Sequence, residues 1–88
     1  MPSQPDITAG IDLGDRHSHL CLIDTRSGEV VEESRVPTTP KGFERRFYGC
    51  RPMRIAVEAG THSPWVSRLL EACGHEVLVA NARKLRLI

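Results

Sequence analysis

The chain has 88 residues, of which 40% are hydrophobic and 26% are charged, and its formal net charge is +1. This composition excludes a disordered polyelectrolyte and predicts one small globular domain or a piece of a larger one. Because the net charge is so small, any binding to nucleic acid has to depend on local clusters of basic residues.

Cysteine usage and hydropathy indicate the cellular compartment of the protein. An odd number of cysteines without a close pair argues against a disulfide framework and against a zinc site of the CxxC type; they are Cys21, Cys50 and Cys73. No apolar run approaches the ~20 residues that span a bilayer, and the N-terminus lacks a basic region followed by an apolar one. The sequence therefore predicts a soluble, cytoplasmic protein with no membrane partner.

The first part of the chain predicts three strands after a disordered tail at residues 1–6. Ile7 to Leu13 suits a short, mostly buried strand, and His17 to Asp24 alternates between apolar and polar residues. The segment "DTRSGE" contains turn-forming residues, and Glu29 to Val36 resumes as a strand. Strands joined by such short loops are expected to pair as antiparallel hairpins.

The next segment, "VPTTPKGFERRF", changes to a helical period. Thr39 is the predicted N-cap and Pro40 the first helical residue, where the missing N–H costs nothing. Phe43 and Phe47, four residues apart, form its apolar face, and Gly49 ends the helix. "MRIAVEAG" then predicts a second short, buried strand that ends in an acid.

The segment "THSPWVSRLLEACG" gives the clearest helical pattern, with Ser63 as its predicted cap. Its apolar stripe comprises Trp65, Val66, Leu69, Leu70 and Cys73. "HEVLVAN" follows as a third buried strand, and "ARKLRLI" begins a basic helix. The order β-β-β-α-β-α-β predicts an α/β fold with a mixed sheet, in which the strands from Ile7, Met53 and Glu76 run parallel.

Two acids, Asp12 and Glu58, end the first and second of these parallel strands. Ligands of such sheets bind at the carboxyl ends of the strands, so the two carboxylates are expected to converge. Two carboxylates so close together repel each other, and a divalent cation between them removes this penalty. Mg²⁺ suits a site of one or two carboxylates completed by phosphate oxygens. Structural roles are the alternative: Asp12 as a turn residue before Gly14, and Glu58 as a cap of the following helix.

A second interpretation starts from the glycines of "GIDLG". A strand followed by Asp and Gly and then a hairpin is also how actin-like and sugar kinases hold the phosphates of ATP. Those kinases usually continue with Gly, Thr or Ser, whereas Asp15 here places a negative charge where phosphate would lie. This weakens the kinase hypothesis without removing it.

Nucleic-acid contacts are predicted from position alone. His62 follows "EAGT" beside the proposed acid site, where it would contact substrate. The basic residues Arg83, Lys84 and Arg86 follow the last parallel strand on the presumed ligand side, where they would neutralise phosphates.

Three stretches carry a family resemblance: "GIDLGDRHSHLCLID", "VPTTPKGFERRF" and "IAVEAGTHSPWVSRLLEACGHEVLVANARKLRLI". They resemble the N-terminal domain of DEDD transposases, insertion-sequence enzymes related to the pilin-gene DNA invertases. The resemblance implies an RNase H-like (RuvC-like) domain over residues 7–88. It also implies that Asp12 and Glu58 are the first two of four catalytic acids, which bind Mg²⁺ or Mn²⁺ in its place.

The same resemblance implies partners and an incomplete site. Family members act on DNA, are guided by a structured bridge RNA and form homo-oligomers as full-length proteins. The third and fourth acids and the serine of a later domain are not in this sequence, so we expect the chain alone to be inactive. An actin-like ATP-binding domain and a non-catalytic transposase remnant stay open as alternatives.

Overall fold

The computed structural model describes residues 6–81, which form seven elements in the predicted order. Their bounds are β1 Ile7–Asp12, β2 His17–Asp24, β3 Val30–Pro37, α1 Pro40–Phe47, β4 Arg54–Glu58, α2 Ser63–Ala72 and β5 Glu76–Ala80. Residues 1–5 of the predicted tail at 1–6 and the predicted basic helix at 82–88 lie outside the described residues. Within residues 6–81, no helix is long and apolar enough to cross a membrane.

The five strands form one mixed sheet in the order β3-β2-β1-β4-β5. β1 pairs antiparallel with β2, and β2 pairs antiparallel with β3, as short hairpin loops require. β1 pairs parallel with β4, which the chain reaches from β3 through α1, and β4 pairs parallel with β5 through the crossover helix α2. The predicted mixed α/β sheet is thereby confirmed.

The turn between β2 and β3 is held by Asp24. Its carboxylate accepts hydrogen bonds from the backbone N–H groups of Arg26 and Ser27, at 2.9 and 3.0 Å. The bonds from Ser27 and Arg26 hold the pKa of the Asp24 carboxyl below its ordinary value. Gly28 closes the turn with φ +76°, a conformation that favours glycine.

α1 begins as predicted. The Thr39 hydroxyl accepts the backbone N–H of Gly42 at 3.0 Å, and Pro40 occupies the first turn. Phe43 and Phe47 are completely buried, with ring centroids 6.3 Å apart. Gly49, with φ +79°, follows the end of the helix.

The predicted cap of α2 is wrong. His62 occupies the N-cap position and makes no side-chain capping bond, while Ser63 is the first residue of the helix. The Ser63 hydroxyl closes a tight turn instead, since it donates to the Gly60 carbonyl at 2.8 Å and accepts the Gly60 N–H at 3.1 Å. Of the predicted stripe, Val66 and Leu70 are fully buried, and Trp65, Leu69 and Cys73 are half-buried.

Both helices contribute to a core on one face of the sheet. The hydrophobic residues of this core are Ala9, Ile11, Leu20, Leu22, Val36, Phe43, Phe47, Met53, Ile55, Val57, Val66 and Leu70. Polar groups buried among them are paired: the Ser18 and Thr38 hydroxyls lie 2.8 Å apart. Buried His75 accepts the Met53 N–H through Nδ1 and lies 3.1 Å from the Phe47 carbonyl through Nε2, which fixes it as a structural histidine.

Candidate functional site

Asp12 and Glu58 are the last residues of two adjacent parallel strands. The register pairs Ile11 with Val57, so the next position on each strand brings the two acids side by side. Neighbouring strands lie ~4.8 Å apart, and side chains alternate between the two faces of a sheet. Because Ile11 and Val57 point into the core, Asp12 and Glu58 point to the opposite face.

On that opposite face, small residues beside the two acids leave a depression in the surface. A depression of about 370 Å³ is lined by Gly10, Ile11, Asp12, His19, Cys21, Ala56 and Glu58. Glycine at position 10 and alanine at 56 leave room that larger side chains would fill. The depression therefore gives an external molecule access to both carboxylates.

Glu58 also lines a second depression on its other side. This one has a volume of about 240 Å³ and is lined by Leu13, Asp15, Glu58, Ala59, Gly60, Thr61 and His62. Its walls are the loop that follows β1 and the loop that precedes α2. Glu58 thus stands between two concave surfaces at the carboxyl end of the sheet.

The structural alternatives for the two acids can be compared with the observed contacts. Asp24 shows what a turn-forming aspartate does, since it accepts two backbone N–H groups. Within residues 6–81, the exposed carboxylate of Asp12 makes no such bond. Glu58 is half-buried and lies four residues before His62, the N-cap of α2, so it does not occupy the capping position.

Gly14 has a geometric explanation. A Cβ atom at this position would lie 2.4 Å from the His17 carbonyl oxygen, too close for any other residue type without a shift of the backbone. The tight connection between β1 and β2 therefore requires this glycine, and phosphate binding is not needed to explain it.

His62 lies at the edge of the second depression and has partners for both ring nitrogens. Its Nε2 is 3.2 Å from the Asp15 carboxylate, and its Nδ1 is 3.1 Å from the indole N–H of Trp65. No pattern in the sequence indicates the Asp15 contact, because the two residues are 47 positions apart. The predicted nucleic-acid contact of His62 stays a prediction, and Arg83, Lys84 and Arg86 lie outside the described residues.

His19 is a further neighbour of Asp12, opposite it on β2. Its Nε2 lies 3.9 Å from the Glu33 carboxylate on β3. No group of three or more histidine, cysteine or acidic side chains within residues 6–81 is arranged to hold a metal ion. What the described residues offer is a pair of hard carboxylate donors beside an open depression, which suits Mg²⁺ completed by water or phosphate oxygens.

Comparison with known proteins gives one family and one fold. The model of a transposase family, DEDD_Tnp_IS110, matches residues 9–88. A comparison with the sequences of curated proteins finds no match.

Among solved structures, the chain is similar to T. thermophilus RuvC in complex with a Holliday junction substrate, with a TM-score of 0.61 and 17% sequence identity. The similarity covers 92% of this chain and 68% of that one. At this identity the likeness shows the fold, and the family match covers nearly the whole chain. The protein therefore belongs to the DEDD transposases, and its domain has the RuvC-like, RNase H-like fold.

Proposed function

We propose that Asp12 and Glu58 bind Mg²⁺, or Mn²⁺ in its place, as part of the catalytic centre of a DNA transposase. The observation that carries this is their position at the ends of two adjacent parallel strands, on the open face of the sheet. The family resemblance implies four acids, so these two supply half of the ligand set. Strand cleavage and exchange then require the remaining acids.

The two carboxylates hold and orient the ion by charge. Side by side, they repel each other unless a cation lies between them, so the site is selective for positive charge. A divalent ion bound there supplies charge stabilisation to a phosphodiester under attack. The small residues Gly10 and Ala56 leave space in the depression, so a phosphate group has room to approach Asp12 and Glu58.

We further propose DNA as the partner that enters this depression. The RuvC of similar fold is bound to a Holliday junction, which supports a branched DNA substrate for this chain as well. Arg83, Lys84 and Arg86 would neutralise phosphates of that DNA. By family resemblance, a bridge RNA and further copies of the protein complete the assembly. Nothing in residues 6–81 favours the ATP-binding alternative.

Manganese binding tests the metal assignment. We expect the free Mn²⁺ signal in electron paramagnetic resonance to fall when the 88-residue chain is added. Asp12→Asn and Glu58→Gln should each abolish this effect, because one carboxylate cannot hold the ion alone. Glu29→Gln removes one negative charge from the exposed turn before β3 and serves as the matched control.

Three results would oppose the assignment of a metal site to Asp12 and Glu58. Equal binding by wild type and both variants would contradict the assignment of these two acids. Loss of binding in Glu29→Gln as well would indicate a general effect of net charge. Thermal stabilisation of the chain by ATP, without stabilisation by Mn²⁺ together with DNA, would favour the actin-like alternative.

The salt dependence of DNA binding tests the basic residues. Each phosphate contact contributes about −0.9 to the slope of log K against log salt concentration for duplex DNA. Replacing Arg83, Lys84 and Arg86 together by alanine should therefore flatten the slope by ~3. Fluorescence anisotropy with a labelled four-way junction measures it, and an unchanged slope would remove these residues from the interface.

A further inference from the structure

We propose that Asp15, His62 and Trp65 form a hydrogen-bonded clamp that positions the loops carrying the two acids. The clamp runs from the indole N–H of Trp65 to Nδ1 of His62, at 3.1 Å, and from Nε2 of His62 to the Asp15 carboxylate, at 3.2 Å. The existence of the clamp is independent of the metal site, but its effect on Asp12 and Glu58 rests on the proposed function.

The bonding pattern selects one form of the His62 ring. An indole nitrogen only donates, so Nδ1 of His62 has to be the acceptor and carries no proton. The proton of the neutral ring is therefore on Nε2, which donates it to the Asp15 carboxylate. The rings of His62 and Trp65 also meet edge to face, with centroids 6.0 Å apart. A histidine held in this way has one orientation and one tautomer.

One end of the clamp is anchored in the core. The Trp65 ring packs edge to face on Phe43, with centroids 5.8 Å apart and planes at 79°. Phe43 is completely buried, whereas the side chain of Asp15 is 97% exposed and that of His62 is 28% exposed. The clamp thus connects the core below the sheet to an exposed loop at its rim.

The two loops that the clamp joins are those that leave the acids. Asp15 lies three residues after Asp12 in the loop between β1 and β2, and His62 lies four residues after Glu58. The parallel register between β1 and β4 ends at Ile11 and Val57. Beyond that point, the His62–Asp15 bond ties the loops together across the depression that Glu58 lines.

The local structure leaves His62 available for this purpose. A residue at an N-cap commonly uses its side chain to accept a backbone N–H of the helix. His62 makes no such bond, and the Ser63 hydroxyl closes the turn to Gly60 instead. His62 is therefore a positioning residue, whose ring spans the gap between the loops.

Paired variants of Asp15 test the clamp. Asp15→Asn and Asp15→Ala both remove the negative charge, but only the asparagine keeps an oxygen that accepts from Nε2. Because Asp15 is so exposed, its bond should change global stability little in either variant. We expect Asp15→Ala to speed amide hydrogen exchange at Gly60 several-fold and to weaken Mn²⁺ binding about two- to fivefold, with Asp15→Asn close to wild type.

Nitrogen-15 spectra of the His62 imidazole show which ring nitrogen carries the proton. A side chain that served only for packing would not need one fixed tautomer. Under mildly alkaline conditions, Nδ1 of His62 should have the shift of an unprotonated nitrogen and Nε2 that of a protonated one. Trp65→Phe combined with Asp15→Ala removes the partners of both ring nitrogens and keeps an aromatic ring against Phe43, so this double variant should produce a mixture of tautomers.

Each outcome bears on the proposal. A protonated Nδ1 in wild type, or equal hydrogen exchange in Asp15→Ala and Asp15→Asn, would overturn the clamp. If the spectra and the exchange behave as expected but wild type binds no Mn²⁺, the clamp stands and the metal assignment fails. If Mn²⁺ binds wild type and both Asp15 variants equally, the clamp does not position the acids.

Discussion

Glu32 on β3 is a described residue whose pKa is shifted, and its carboxylate accepts three hydrogen bonds. Its carboxylate accepts from the Ser34 hydroxyl at 2.8 Å and from the Arg46 guanidinium at 3.0 and 3.1 Å. The Ser34 bond, followed by the bond and charge of Arg46, holds the pKa of Glu32 below its ordinary value of 4.5. The ionised form is therefore the one that the fold stabilises.

This shift sets a pH dependence of stability. The contribution of Glu32 is fully present above its ordinary pKa, and it is lost as the pH falls through the lower pKa of the folded state. We expect Glu32→Gln to flatten the fall in the free energy of unfolding toward acid pH. Urea denaturation at a series of pH values measures this. Glu29→Gln is the control, and an equally steep fall in Glu32→Gln would contradict the prediction.

Single residues also show what sequence reasoning missed. Asp12 and Glu58 are candidates from the sequence alone because each ends a strand of predicted direction, which is a property of its own segment. For Asp15 the sequence indicates only a negative charge, since its contact with His62 depends on where two distant loops meet. Such a contact leaves no periodicity in the sequence, so only the folded chain reveals it.

Among the elements, α1 contains a glycine that its helical pattern does not explain. A Cβ atom at Gly42 would lie 2.4 Å from the Pro37 carbonyl oxygen and 3.1 Å from the Thr39 hydroxyl. The chain entering the helix from β3 passes too close for a side chain. Gly42 is therefore required by the β3–α1 connection.

A substitution at this position separates propensity from packing. Alanine favours a helix by about 1 kcal/mol over glycine, so Gly42→Ala would stabilise α1 if propensity decided the outcome. We expect destabilisation by about 1–3 kcal/mol instead, because the new methyl group overlaps backbone. Chemical denaturation gives the sign. Lys41→Ala, an exposed change in the same turn, should have little effect, and a stabilised Gly42→Ala would contradict the predicted overlap.

The start of α2 shows why the cap prediction failed. Serine before proline is a common helix start, and Ser63 has both the residue type and the neighbour that the rule requires. The helix begins one residue earlier, because the Ser63 hydroxyl bonds to Gly60 in the preceding turn. Two local uses of the same hydroxyl compete, and the glycine-containing loop decides between them.

For the whole molecule, stability depends on a small core in which Phe47 is central. Its ring is completely buried, stacks on Phe43 and meets His75 edge to face at 5.6 Å. A domain of this length has a free energy of unfolding of about 0.05–0.15 kcal/mol per residue. Removal of a buried phenyl ring costs about 3–5 kcal/mol, which is comparable to that total.

We therefore expect Phe47→Ala to leave much of the chain unfolded at 25 °C. Phe47→Leu keeps most of the volume and should remain folded with a lower urea midpoint. Circular dichroism and Trp65 fluorescence measure both variants. A cooperative Phe47→Ala transition at the wild-type midpoint would show that the core does not depend on this ring.

The sequence by itself determined the order of elements, the direction of each strand and the candidate acid pair. Apolar periodicity records which residues are buried, and a helical connection between two strands of one sheet indicates that they run parallel. Only the tertiary structure decided the partners of Asp15 and His62, the role of Ser63 and the need for glycine at 14 and 42. These depend on distances between segments remote in the chain, and such distances are set by strand register and loop path rather than by local residue type.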